Sequence, residues 1–252
     1  MADPDFLTTE HGRSLAYHRR TGEGPGVVFL GGFKSDKDGT KALWLDDWAH
    51  AAGRAFLRFD YSGHGQSSGE FTQGSIGDWA ADARAAIEGL TEGPQILVGS
   101  SMGGWIALLL ARVKPERVAG LVTIAAAPDF TENSMWAGFD ADQREILMRE
   151  GQVALPSDYG EPYVITRRLI EDGRENLVLR QPLNLPFPVR FLQGTADEDV
   201  DKSVALQLLE HATGPDMRLV LVDGADHRFS NADCLTLIGS AVDEVIDRAH
   251  AR

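Results

Sequence analysis

Gln95-Ile96-Leu97-Val98-Gly99-Ser100-Ser101-Met102-Gly103-Gly104-Trp105 decides how the rest of this chain reads. Gln95 to Gly99 is a short apolar run of strand length, and Gly104 to Arg112 (GWIALLLAR) has helical length and composition. The turn between them fits the pattern G-x-S-x-G. A strand-to-helix turn this tight crowds the backbone around its central residue, so the positions two before and two after must lack side chains; Gly99 and Gly103 meet that demand. Ser101 at the tip then projects its hydroxyl clear of the sheet, beneath the positive end of the following helix. Ser100 fits less well, because its register puts Val98 and Met102 at the crowded positions. A plain glycine-rich turn is the bland alternative. Phosphate cradling is weaker still, since no Lys-Ser/Thr pair closes the loop and no G-x-G-x-x-G follows the first strand.

Outward from this turn, short β-branched runs alternate with stretches of helical period, the pattern of a mostly parallel sheet covered by helices. Strands are expected at Gly26 to Leu30, Ala55 to Asp60, Gln95 to Gly99, Val118 to Ala125, Val189 to Gln193 and Met217 to Val222, with Ser14 to Arg20 as an antiparallel edge strand. Helices are expected at Lys41 to Gly53, Ser75 to Leu90, Met102 to Lys114, Val204 to His211 and Ala232 to Ala249. The rhythm lapses from about Pro128 to Pro188, where only Asp140 to Glu150 and Thr166 to Asp172 look helical. A structureless loop of that length is improbable within a compact domain, so residues 128–188 are expected to form a cap inserted into a single domain spanning 1–252.

A serine needs a base to take its proton, and the base needs an acid to fix its tautomer. In this architecture the chain order is Ser, Asp or Glu, then His. Gly194-Thr195-Ala196-Asp197-Glu198-Asp199-Val200 follows one strand and Asp223-Gly224-Ala225-Asp226-His227 follows the next, both at the sheet edge that holds Ser101. His227 is the histidine so placed. Asp197 is the first choice of acid and Asp199 the second; otherwise this acidic loop is a solvated helix cap, a role that Asp201 or Ser203 could also fill. His64, in Asp60-Tyr61-Ser62-Gly63-His64-Gly65, lies in a loop at the same edge but out of the usual order, and is read as ordering its loop. An oxyanion hole needs two convergent N–H donors: Met102, after the nucleophile, and Phe33, after the Gly31-Gly32 pair.

Composition narrows the remaining choices. Across 252 residues, 24 Lys plus Arg stand against 38 Asp plus Glu, a formal charge of −14, so the concentrated basic face that nucleic acid requires is not expected. No window approaches the roughly 20 apolar residues of a membrane span. One cysteine, Cys234, allows neither an internal disulfide nor a thiolate metal site. No His and carboxylate cluster with ligand spacing surrounds Ser101, so neither metal nor cofactor is expected. The start, MADPDFLTTEHGRS, carries no basic or apolar leader, which sets the expected location as cytoplasmic.

Taken together, these residues resemble the α/β hydrolases over nearly the whole chain. More narrowly, Gly32 to Ala42 (GFKSDKDGTKA), Arg58 to Gly65 (RFDYSGHG) and Gly99 to Trp105 (GSSMGGW) are similar to the mitochondrial palmitoyl-protein thioesterase and acyl-glucuronide esterase family and its bacterial relatives. The resemblance places that family's triad on Ser101, Asp197 and His227 and implies an acyl ester or thioester as substrate. A serine at the elbow argues against dehalogenation and epoxide opening, which normally use a carboxylate there. A cofactor-free perhydrolase, a C–C bond hydrolase or a ligand-binding receptor on the same fold is the alternative. Met135, Trp136, Phe139 and Met148 are candidates either for an acyl pocket or for anchoring the cap as core.

Overall fold

The computed structural model describes residues 3–155 and 162–251. The chain begins with strands β1 (Asp5–Thr8), β2 (Ser14–Arg20) and β3 (Glu23–Leu30), then helix α1 (Thr40–Ala51), β4 (Arg54–Phe59), α2 (Ile76–Leu90), β5 (Gln95–Ser100), α3 (Met102–Val113) and β6 (Val118–Ile124). It then leaves the sheet for α4 (Ala141–Glu150), a hairpin of β7 (Gln152–Leu155) and β8 (Tyr163–Thr166), α5 (Arg167–Glu175) and the two-residue strand β9 (Leu183–Asn184). It returns through β10 (Val189–Gly194), α6 (Lys202–His211), the short β11 (Ala212–Thr213), β12 (Met217–Val222) and α7 (Ala232–His250).

The central sheet has eight strands in the order β1-β2-β4-β3-β5-β6-β10-β12. All neighbours from β4 to β12 are parallel, and β2 runs antiparallel to both β1 and β4. Ser14–Arg20 is therefore antiparallel as expected, but it is not the edge, because Asp5–Thr8 pairs outside it. That outer strand gives little sequence signal: it is four residues long and three of them are exposed, so no apolar alternation marks it.

Each face of the sheet carries its own apolar layer. α2 and α3 pack on one side around Trp79, Trp105, Ile106 and Leu97, and α1 and α7 on the other around Leu45, Ile238, Val242 and Val98. Every residue of β5 is buried, which is why it reads as a continuous apolar run rather than an alternating one. α3 is buried all round from Met102 to Ala111 because the excursion between β6 and β10 covers its outer side. Trp105 Nε1 donates to Asn176 O at 3.0 Å and Arg112 Nη1 to Leu177 O at 2.9 Å.

Helix starts follow local chemistry. Ser75, Thr166 and Asn231 cap α2, α5 and α7 by accepting backbone N–H bonds, and Asp140 opens α4 with a reciprocal capping box to Gln143. Within the excursion, the buried Asp129 accepts from Val178 N–H at 2.8 Å and Leu179 N–H at 3.0 Å, tying its beginning to its end. The β7–β8 hairpin there escapes sequence patterning, since each strand has only four residues.

Candidate active site

The turn from β5 into α3 is compressed as its glycines foretold. A Cβ on Gly99 would lie 2.5 Å from Gly103 O, and one on Gly103 would lie 2.0 Å from Leu30 O, distances no side chain can adopt without moving backbone. Gly104 is constrained as well, with a virtual Cβ 2.7 Å from that of Ala126. Ser101 sits between them at φ 53° and ψ −118°, in a region that a non-glycine residue occupies only when its surroundings hold it there. The hold is visible: Ser101 N–H donates to Ile124 O at 2.9 Å, while Ser101 O accepts from Gly104 N–H at 2.9 Å and Ala127 N–H at 3.1 Å.

Ser101 Oγ lies 3.1 Å from His227 Nε2, and His227 Nδ1 lies 2.9 and 3.1 Å from the two carboxylate oxygens of Asp197. A carboxylate only accepts, so Nδ1 carries the ring proton and Nε2 is left to accept from the serine hydroxyl. Three residues that stand 126 positions apart at the extremes are thus joined in one hydrogen-bonded chain.

Asp197, not Asp199, is the carboxylate turned toward the ring. It is buried, and its Oδ1 also accepts from Val200 N–H at 2.8 Å and Asp199 N–H at 3.0 Å. Gln193 Nε2 donates to its Oδ2 at 2.9 Å. Burial by itself would raise the Asp197 pKa; the His227 hydrogen bond, the Val200 N–H and Gln193 outweigh it and hold the group below the ordinary carboxylate value. Asp199 and Glu198 are exposed and line the cleft without a hydrogen bond to the ring among the described residues, and Asp201 caps α6 by accepting from Ser203 N–H at 2.8 Å. Asp226, the other acid near the histidine, is engaged in its own turn, accepting from Phe229 N–H at 3.0 Å. Asp197, Asp199 and His227 bring potential ligand atoms within 4.8 Å of one another, but Asp197 and His227 are hydrogen-bonded to each other.

The loops that carry Asp197 and His227 are zipped together. Thr195 N–H donates to Val222 O at 2.9 Å, Ala196 N–H to Ala225 O at 3.0 Å, and Gly224 N–H to Thr195 Oγ1 at 2.9 Å. From α1, Lys41 Nζ reaches Arg228 O at 2.5 Å, next to His227 in sequence; burial lowers the Lys41 pKa to about 8.

Met102 N–H belongs to the first turn of α3, where no earlier helical carbonyl can accept it. Phe33 follows Gly32, whose virtual Cβ would lie 3.5 Å from both Ser100 O and Ser101 Cβ, so this loop runs in contact with the elbow. The Phe33 ring packs edge-on against Phe71, Trp79 and Phe130. His64 is buried beneath this loop, with Nδ1 3.2 Å from Ser62 O and Nε2 accepting from Lys34 N–H at 3.2 Å, a loop-ordering position.

A cleft of about 850 Å³ opens over Ser101 and His227. Its apolar wall includes Phe130, Met135, Leu155, Tyr163, Ile165 and Leu179. Of the four candidates from the sequence, Met135 alone lines it. Phe139 is core, Met148 is exposed, and the Trp136 ring is stacked by the Arg174 and Arg144 guanidinium groups at 4.6 and 5.3 Å. Gln193 and the hairpin residues Leu155, Tyr163 and Ile165 were not legible beforehand. A polar residue closing the apolar run VRFLQ, four positions before Asp197, is the signal that could have found Gln193.

The family model for the alpha/beta hydrolase fold matches residues 26–166. The chain belongs to the α/β hydrolases. It is 36% identical to palmitoyl-protein thioesterase ABHD10, mitochondrial, of Rattus norvegicus over 96% of this chain and 82% of that protein. The mouse ABHD10 structure superposes with a TM-score of 0.90 at 34% identity, covering 98% of this chain and 99% of that one. A crystal structure from Agrobacterium vitis S4 gives 0.92 at 39%, covering 97% and 98%. Est1E of Butyrivibrio proteoclasticus, at 18% identity and a TM-score of 0.83 over 98% and 100%, shares the fold. These relationships make this α/β hydrolase a hydrolase of the kind that includes ABHD10. Among the described residues no helix is long and apolar enough to cross a membrane.

Proposed function

We propose that this α/β hydrolase cleaves acyl esters or thioesters through an acyl-enzyme on Ser101. The observation that carries the reading is the 3.1 Å approach of His227 Nε2 to an Oγ held at a positive-φ elbow. His227 takes the Ser101 proton as Oγ attacks the acyl carbonyl, and the Met102 and Phe33 N–H groups receive the developing oxyanion. The proton then passes from His227 to the departing alkoxide or thiolate. A water, deprotonated by His227, attacks the acyl carbonyl and releases the acid and free Ser101. Asp197 stays ionised throughout, orienting the ring and stabilising the imidazolium.

Residues 128–188 act as a cap within one domain, and the apolar wall of the cleft takes the acyl chain. The ABHD10 relatives, named as palmitoyl-protein thioesterases, support acyl substrates, an acylated protein among them. The cytoplasm is the proposed setting and suits the free, buried thiol of Cys234, although the relatives' names place those proteins in mitochondria.

Labelling with a fluorophosphonate, followed by a screen of acyl thioesters and oxygen esters from short to long chains, tests this reading. Stoichiometric labelling that Ser101→Ala abolishes, together with turnover, supports it. Labelling without turnover of any acyl substrate assigns a ligand-binding receptor instead, and no labelling removes Ser101 as nucleophile.

A further inference from the structure

His64 has a buried ring with no place in the proton path, and the structure surrounds it with the loop that carries the second oxyanion donor. Gly32-Phe33-Lys34-Ser35 is a tight turn closed by Ser35 N–H donating to Gly32 O at 3.1 Å. Its third residue, Lys34, has φ 57°, the left-handed conformation that a type II turn reserves for glycine. A lysine there pays a steric cost that a glycine would not, so something must hold the peptide in that orientation. Types I and II differ by rotation of the central peptide, here the Phe33–Lys34 unit, and it is this unit's N–H that His64 Nε2 accepts at 3.2 Å.

We propose that His64 is a positioning residue for the reaction: by accepting the Lys34 N–H it fixes the Phe33–Lys34 peptide and so aims the adjoining Phe33 N–H at the oxyanion. The inference rests on the reading of Ser101 as nucleophile and Phe33 N–H as donor. A second tie runs through the rings. Phe71 and Trp79 each pack against both His64 and Phe33, with centroids 4.9 to 6.0 Å apart. The tautomer follows from the network. Lys34 N–H is a donor, so Nε2 must be bare and Nδ1 protonated, donating to Ser62 O, which Trp79 Nε1 also reaches at 3.1 Å. Burial lowers the His64 pKa to about 4, so the acceptor is available through the neutral range.

The experiment uses three variants that separate the two ends of the imidazole. His64→Phe keeps a ring but neither hydrogen bond. His64→Asn can still donate to Ser62 O as Nδ1 does but cannot reach Lys34; His64→Gln places an acceptor where Nε2 stood. Each is assayed at equal folded fraction for kcat and KM on an activated ester, and for the Ki of an alkyl trifluoromethyl ketone, whose hemiketal adduct with Ser101 Oγ carries the oxyanion. His64→Phe and His64→Asn should lose about tenfold to a hundredfold in kcat with KM within about twofold, since a donor made in the transition state is what is misplaced. Their Ki should rise by the factor by which kcat/KM falls, and His64→Gln should recover most of both.

Unchanged kcat in a folded His64→Asn variant overturns the proposal, as does a loss in His64→Gln equal to that in His64→Phe, or a loss confined to KM. Fluorophosphonate labelling of the wild type is read separately. An unlabelled Ser101 defeats the catalytic reading itself, whereas a labelled Ser101 with indifferent His64 variants defeats only this inference.

Discussion

Gln193 Nε2 donates to Asp197 Oδ2 at 2.9 Å and to Val200 O at 3.0 Å, linking the end of β10 to the carboxylate that holds His227. Gln193 is wholly buried and its Oε1 has no hydrogen-bond partner among the described residues. The side chain therefore holds the acid loop while leaving one of its own acceptors uncompensated. Gln193→Met keeps the volume and removes these donations together with the longer one to Gly194 O at 3.3 Å. We expect kcat to fall about tenfold while stability moves by only about 1 kcal/mol, because the orphaned oxygen disappears with the lost bonds. Steady-state kinetics beside urea denaturation check this; a stability loss with unchanged kcat would make Gln193 purely structural.

Ser101→Ala is expected to abolish ester turnover and fluorophosphonate labelling while the protein stays folded. Ser100→Ala should retain activity, since Ser100 is the last residue of β5 and lies outside the hydrogen-bonded chain of Ser101, His227 and Asp197. Circular dichroism and active-site labelling on both variants decide the register of the elbow.

Asp197→Asn should cost far more activity than Asp199→Asn. Replacing the acid of another serine hydrolase by its amide lowered kcat about 10⁴-fold, through the wrong histidine tautomer. Here only Asp197 reaches His227 Nδ1, while Asp199 is exposed. Equal losses at the two positions, measured at matched folded fraction, would contradict the assignment.

Gly103→Ala and Gly93→Ala separate two kinds of glycine. A Cβ at Gly93 meets nothing within 4 Å, although φ is +65°, so the cost is the left-handed conformation alone, about 1 kcal/mol. At Gly103 the same atom would lie 2.0 Å from Leu30 O, and the elbow itself must open. Chemical denaturation should show Gly103→Ala as the more destabilised by several kcal/mol, with labelling of Ser101 lost even in the folded fraction.

Burial lowers the His64 pKa to about 4, against about 6.5 in an unfolded chain. Between those values the unfolded state binds a proton that the folded state does not, so stability rises with pH across that window. Its contribution is complete above about 6.5 and is lost as pH falls toward 4, amounting to about 3 kcal/mol. Urea midpoints at pH 6.5 and 4.5 should therefore separate further in the wild type than in His64→Gln. Equal separations would show that the ring titrates normally. The buried carboxylates Asp60, Asp82 and Asp129, which burial raises, are common to both proteins and drop out of the difference.

Sequence by itself determined what depends on local spacing. The apolar runs from Gly26, Gln95, Val118 and Val189 are strands because each is too short for a helix and is buried on a covered sheet, while the run from Met217, also too short for a helix, forms the half-exposed outermost strand. Gly99 and Gly103 fix the elbow because the crowding there comes from residues within a few positions of each other, and chain order places Ser101, Asp197 and His227 at one sheet edge. Tertiary structure decided whatever depends on residues distant in the chain. The preference for Asp197 over its acidic neighbours rests on Gln193 and on the ring of His227. The line between Met135 in the cleft and Trp136 among guanidinium groups is drawn by α5, whose Arg174 is remote in sequence. Asp5–Thr8 and the β7–β8 hairpin are strands because partners were available, not because four residues could specify one: a short exposed strand contributes little burial of its own and takes its conformation from the neighbour it pairs with.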